Sequence, residues 1–145
     1  QSKASLGHGD TVLIIGAGPL GLLHARLAYW YGADKVIIAD SLENRAQWAV
    51  KSGKVDVVVN TANKNISQAV MSETCGCGVD IIIMATGQHS VAQLLPLLRN
   101  EGRLSLFSGL KENTHLSVAD INEMHYRELV LCGAYGQPRS RIETH

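Results

Sequence analysis

The sequence predicts a doubly wound α/β domain on a six-stranded parallel sheet, and three observations carry that expectation. Short runs rich in Val, Ile and Leu recur at Val12–Ile15, Val36–Ala39, Val57–Val59 and Ile81–Ala85. They show no polar alternation, as expected of strands covered on both faces. Segments with apolar residues at helical spacing separate them, so strand and helix alternate along the chain. The first run then opens into a glycine-rich turn, Gly16-Ala17-Gly18-Pro19-Leu20-Gly21, that leads into such a helical segment.

In order, strands are predicted at Thr11–Ile15, Lys35–Asp40, Asp56–Asn60, Val79–Ala85, Arg103–Ser108 and Glu128–Gly133. Leu20, Leu23, Leu27 and Trp30 share one stripe of the first helix, which is expected to be its buried face. Leu42, Ala46, Ala49 and Val50 mark the second helix, with Ser41 as N-cap and Glu43 in the first turn. Ile66, Ala69 and Val70 give a shorter third helix. Val91, Leu94, Leu95 and Leu98 form a fourth stripe, which Pro96 should kink or interrupt. A brief helical turn near Ile121–His125 precedes the last strand.

A chain of 145 residues, 46% of them hydrophobic and 18% charged, is enough for one globular core. Lys plus Arg and Asp plus Glu number 13 each, giving zero net charge. That balance points away from nucleic acid or an anionic membrane as the main partner. The apolar runs are too short to cross a bilayer, and Gln1–Leu6 lacks the apolar core of a signal peptide. Three cysteines, Cys75, Cys77 and Cys132, make no even disulfide framework, which suits a reducing cytoplasm. The start lacks Met, so an excised piece of a longer protein is expected. One domain, 1–145 with a core of about 9–136, accounts for the whole chain.

The glycine turn carries the chemistry. In a G-x-G-x-x-G that follows a strand and opens a helix, Gly16 permits the sharp turn and Gly18 leaves room for a pyrophosphate. Gly21 lets helix and sheet approach closely. Pro19 and Leu20 open that helix, whose N-terminus offers unpaired N–H groups and a positive dipole end to the phosphates. Asp40 lies 19 residues beyond Gly21 at a strand end, where it can accept bonds from the adenosine ribose. Ser41 is grouped with it. The competing reading is an ordinary turn with Asp40 capping the next helix. An acid at this position favours NAD over NADP.

The segment from Gly9 through Leu23 resembles the cofactor domain of the zinc-dependent medium-chain alcohol and polyol dehydrogenases, a Rossmann-type domain. The likeness runs through Val36–Asp40, Gly78-Val79-Asp80, Ala85-Thr86-Gly87, Gly102–Gly109 and Glu128–Gly136, or about Leu6 to Gly136. His125-Tyr126-Arg127-Glu128-Leu129 and Gly133-Ala134-Tyr135-Gly136 resemble the sorbitol, sugar-alcohol and threonine branch. The resemblance implies that Arg45 lies beside the ribose, that Thr86 and Gly87 line the cofactor, and that Ser108, Gly109 and Leu110 pass near the nicotinamide. For Arg45, a solvated helix charge is the alternative. It also implies that the catalytic zinc and its ligands belong to a separate domain, so no catalytic residue and no metal ligand is assigned here. The parent is then a two-domain, NAD-dependent dehydrogenase acting on a secondary alcohol of a sugar alcohol or hydroxy amino acid, and the isolated domain is inactive. Pairing between copies through the Arg127–Gly133 edge is implied too. Cys75-Gly76-Cys77-Gly78 and Pro96 depart from the family pattern.

Other chemistries fit less well. A zinc-free, NADPH-linked quinone-type reductase and a non-catalytic nucleotide-sensing module are the alternatives; Asp40 counts against the first. A methyltransferase glycine loop is spaced differently. No G-x-S-x-G elbow supports hydrolysis. Cys75-x-Cys77 has no second ligand pair and reads as a surface turn. His24 reads as a satisfied, partly buried side chain, His8, His89 and His115 as loop or cap residues, and His125 as either. The substrate is set by residues outside this sequence.

Overall fold

A computed structural model describes residues 5–52 and 54–135 of the chain; Gly136, the last residue of the resemblance, lies outside them. Strands β1 (Thr11–Ile15), β2 (Lys35–Asp40), β3 (Val57–Asn60), β4 (Val79–Met84), β5 (Leu98–Leu106) and β6 (Val130–Gly133) form one sheet in the order β3-β2-β1-β4-β5-β6. Every neighbouring pair is parallel. The order reverses direction between β1 and β4, which opens a crevice beyond their C-terminal ends.

Helices cover both faces, which is why the central strands are uniformly apolar. Val12, Ile14, Val36, Ile38, Ile81 and Ile83 pack with Ala25 and Ala28 of α1 (Pro19–Trp30) and Ala49 of α2 (Glu43–Lys51). On the other face Leu13, Ile15, Ile37, Ile82 and Met84 pack with Val70 of α3 (Ile66–Glu73) and with Val91 and Leu94 of α4 (Val91–Leu94). A fifth helix, α5 (Val118–Tyr126), touches that side through Met124 but buries no residue fully.

Several expectations need correction. The face of α1 on the sheet is Gly21, His24, Ala25 and Ala28, whereas Leu20, Leu23, Leu27 and Trp30 are exposed. Small side chains let the helix lie close to the strands, so the bulky stripe is turned outward. The N-cap of α2 is Leu42, not Ser41, because the Asp40 carboxylate already accepts the Leu42 N–H at 2.8 Å. Pro96 does interrupt the fourth helix: α4 ends at Leu94, a 3-10 turn holds Leu95–Leu97, and Leu98 begins β5. That strand starts earlier than predicted, with a register shift between Val79 and Ile81, and stops at Leu106, leaving Ser108 in a loop. The last helix is a full nine residues, capped by Ser117 with Asp120 in a reciprocal capping box. β6 starts late because Glu128 takes a positive φ of 53° while Leu129 N–H bonds back to Met124. β3 and β4 are each one residue shorter than expected.

Candidate functional site

β1 delivers the glycine turn to the crevice. Gly16 has φ +107°, and a Cβ there would meet the Thr86 methyl at 2.2 Å, so both backbone and space demand glycine. A Cβ on Gly21 would sit 1.8 Å from the Gly16 carbonyl oxygen. Both glycines are therefore required by the fold itself. Gly18 differs. Its φ is −73°, open to any residue, and the nearest atom to a Cβ would be an Arg45 guanidinium nitrogen at 3.9 Å. Nothing within the described residues forbids a side chain at position 18.

The start of α1 suits an anion. Gly18 is its N-cap and gives no side-chain cap, Pro19 stands in the first turn, and no acid occupies that turn. Unneutralised N–H groups and the helix dipole thus face the crevice.

Asp40, 4% exposed, ends β2 against this turn. One carboxylate oxygen accepts the Ala17 N–H and the other the Leu42 N–H, each at 2.8 Å. Each oxygen keeps a second lone pair for a ribose hydroxyl. The Arg45 guanidinium lies 3.9 Å from the Asp40 carboxylate while also facing Gly18. Arg45 thus sits at the crevice mouth, and Ser41 lies half-buried between Asp40 and α2.

The loops after β4 and β5 complete the crevice. Thr86 backs Gly16, and a Cβ on Gly87 would meet the Gly109 carbonyl oxygen at 2.7 Å, so the two loops touch. Phe107 and Ser108 both donate backbone N–H bonds to the Met84 carbonyl, anchoring the segment that carries Gly109 and Leu110. The sequence had not singled out Phe107. Its ring meets His24 edge-on at a centroid distance of 4.4 Å. Burial lowers the His24 pKa to about 4, so the imidazole is neutral at physiological pH. His89, beside the N-cap of α4, is also lowered by burial. His24 lies on the buried face of α1, against Phe107 in the segment that follows β5.

Among the described residues, no cluster of three or more His, Cys, Asp or Glu side chains is arranged to hold a metal ion. No described helix is long and apolar enough to cross a membrane.

The sequence pattern of the zinc-binding dehydrogenases matches residues 19–144. The chain belongs to this family. It is the cofactor-binding domain of the medium-chain, zinc-dependent alcohol dehydrogenases. L-Threonine 3-dehydrogenase of Vibrio cholerae is 33% identical over 137 residues, covering 94% of this chain and 38% of that enzyme. The Pyrococcus furiosus L-threonine 3-dehydrogenase is 39% identical over 99 residues, 68% of this chain and 28% of its own length. Among solved structures, an alcohol dehydrogenase from a Thermus species superposes with a TM-score of 0.80 at 27% identity, covering 92% of this chain and 38% of that one. The zinc-binding dehydrogenase domain therefore spans less than two fifths of these relatives.

Proposed function

We propose that this domain binds NAD and presents it for hydride transfer in a two-domain dehydrogenase acting on a secondary alcohol of a sugar alcohol or hydroxy amino acid. The observation that carries the reading is Gly18. It is the one glycine of the turn that the described fold does not require, and it lies where a pyrophosphate would approach the helix N-terminus.

In this reading Gly16 makes the turn, Pro19 opens the helix, and the backbone N–H groups of Gly18, Leu20 and Gly21 face the pyrophosphate. Asp40 and Ser41 take the adenosine ribose, with Arg45 across the crevice mouth. Thr86 and Gly87 line the middle of the cofactor, and Ser108, Gly109 and Leu110 orient the nicotinamide. When bound, NAD supplies the hydride acceptor. Proton removal from the alcohol, and any zinc, belong to residues outside the described ones. The hydroxy amino acid substrate class rests on the threonine dehydrogenase relatives.

The same reading pairs two copies through β6, a sheet edge with unpaired backbone groups. Val130 on that strand and Val118, Ile121 and Tyr126 on α5 are exposed, which gives the edge an apolar surround. Three free thiols accord with a cytoplasmic parent.

Assaying the parent polypeptide and this domain side by side, with NAD and either L-threonine or sorbitol, tests the proposal by NADH fluorescence. NADH from the parent alone is expected. Turnover by the purified domain, or none by the parent with any alcohol, contradicts it.

A further inference from the structure

The turn between α3 and β4 lies at the end of the sheet opposite the glycine loop, and it carries two thiols separated by one glycine. We propose that Cys75 and Cys77 are a reactive dithiol, closed to a disulfide by a small anionic disulfide of the oxidised-glutathione class.

The backbone of the turn is fixed and its sulfurs are outside. Gly76 N–H donates to Met71, Cys77 N–H to the Thr74 carbonyl, and Gly78 N–H to the Thr74 hydroxyl. Both cysteines are exposed. Cys75 and Gly76 have successive positive φ values of 53° and 79°, which curl the chain. Residues two apart can be separated by at most about 7 Å, and curling brings them within the roughly 4.4–6.8 Å between Cα atoms that a disulfide spans. The Cys77 sulfur already folds back to 4.0 Å from the Cys75 carbonyl oxygen. A Cβ at Gly76 would have no neighbour within 4 Å, so the turn has room to adjust.

Cys77 also lines an open cavity of about 710 Å³ with Arg99, Arg103 and Arg127, beside the carboxylates of Asp80 and Glu101. Arg103 and Arg127 pair with Asp10 and Glu123, which do not line it. Arg99 is half exposed and meets Asp80 at 3.3 Å. Its guanidinium can turn to a carboxylate of an incoming peptide disulfide.

The steps balance. The Cys77 thiolate attacks one sulfur of oxidised glutathione; that S–S bond breaks, and one glutathione leaves with the electron pair and takes a proton from water. The Cys75 thiolate then attacks the Cys77 sulfur, forming the Cys75–Cys77 bond and expelling the second glutathione, which is likewise protonated. The protein loses two electrons and two protons, and one oxidised glutathione becomes two reduced ones.

Treating the chain with oxidised glutathione, quenching by alkylation and measuring intact mass tests this. Loss of two hydrogens with no retained glutathione is expected, the linked cysteines mapping to one peptide and Cys132 still alkylated. Cys75→Ser is expected to trap one glutathione on Cys77. Arg99→Ala should slow glutathione transfer about 3- to 10-fold without slowing a neutral disulfide such as 2-hydroxyethyl disulfide. Retained glutathione on the unmutated chain, a disulfide involving Cys132, or an Arg99→Ala rate with oxidised glutathione equal to that of the unmutated chain overturns the proposal. Circular dichroism of each variant separates loss of chemistry from loss of fold.

Discussion

The carboxylate of Asp40 accepts the Ala17 N–H at 2.8 Å, so the end of β2 is tied to the middle of the glycine turn before any cofactor arrives. Its other oxygen holds the Leu42 N–H at the same distance. One buried side chain thus ties the glycine turn to the segment that opens α2. A ribose would meet an acceptor that is already oriented, with little ordering left to be done on binding.

Under the proposed function, cofactor choice is expected to depend on that carboxylate and the arginine beside it. A 2′-phosphate placed against Asp40 meets like charge, partly offset by Arg45 at 3.9 Å. A net preference for NAD over NADP of about 2–3 kcal/mol is expected, or roughly 30- to 150-fold. Calorimetric titration of both cofactors checks it. Asp40→Asn should bring the ratio toward one, and Arg45→Ala should widen it; an unchanged ratio in both variants removes Asp40 as the selector.

Gly21→Ala is expected to cost about 2–3 kcal/mol of stability, because the added methyl cannot share space with the Gly16 carbonyl 1.8 Å away. Helix α1 would have to lift from β1. Denaturant unfolding measures the loss, and a midpoint within error of the unmutated protein would show that the helix rests less tightly than described.

Much of this was legible in the sequence because the signals were local and redundant. β1 and β2 came out with the observed ends, since each is an unbroken apolar run closed by a turn residue or an acid. The glycine turn was legible for the same reason. The buried face of α1 was not. Leu20, Leu23, Leu27 and Trp30 look like a core stripe, but packing against the sheet selected Gly21, Ala25 and Ala28, and only tertiary contact reveals that choice. β5 was expected at Arg103–Ser108 but begins at Leu98, because the strand takes in the polar Arg99, Asn100 and Glu101 through an irregular register with β4. Arg45 was visible as a charge, but its position over Gly18 depends on how α2 sits beside the turn.

The buried His24 makes stability pH-dependent with a defined sign. Its folded pKa is lowered from 6.5 to about 4, so the unfolded chain binds the proton more readily. The stabilisation is complete above pH 6.5 and is lost as pH falls toward 4, amounting to about 3 kcal/mol in all. His89, shifted the same way, adds to the trend. Comparing urea unfolding at several pH values with that of His24→Leu isolates the histidine, whose removal should flatten the curve over this range. Parallel curves for the two proteins would assign the pH dependence elsewhere.

If β6 is the pairing edge, light scattering at high concentration should report twice the chain mass. Val130→Lys should return the single-chain mass without unfolding the domain, because that side chain is 48% exposed in the single chain and a charge is tolerated at a free edge. A mass unmoved by the substitution, or a monomer throughout, removes β6 from any interface.

Gly18 provides the sharpest measurement of all. Gly18→Ala should fold like the unmutated domain, since φ is −73° and the nearest atom to the new methyl is the Arg45 guanidinium at 3.9 Å. In an NAD titration the same variant should bind at least about tenfold more weakly, a loss of about 1.4 kcal/mol or more, because the methyl stands where the pyrophosphate approaches. Unchanged thermal unfolding with that loss of NAD affinity is the predicted result. Unchanged NAD affinity in the folded variant would contradict a dinucleotide at this loop.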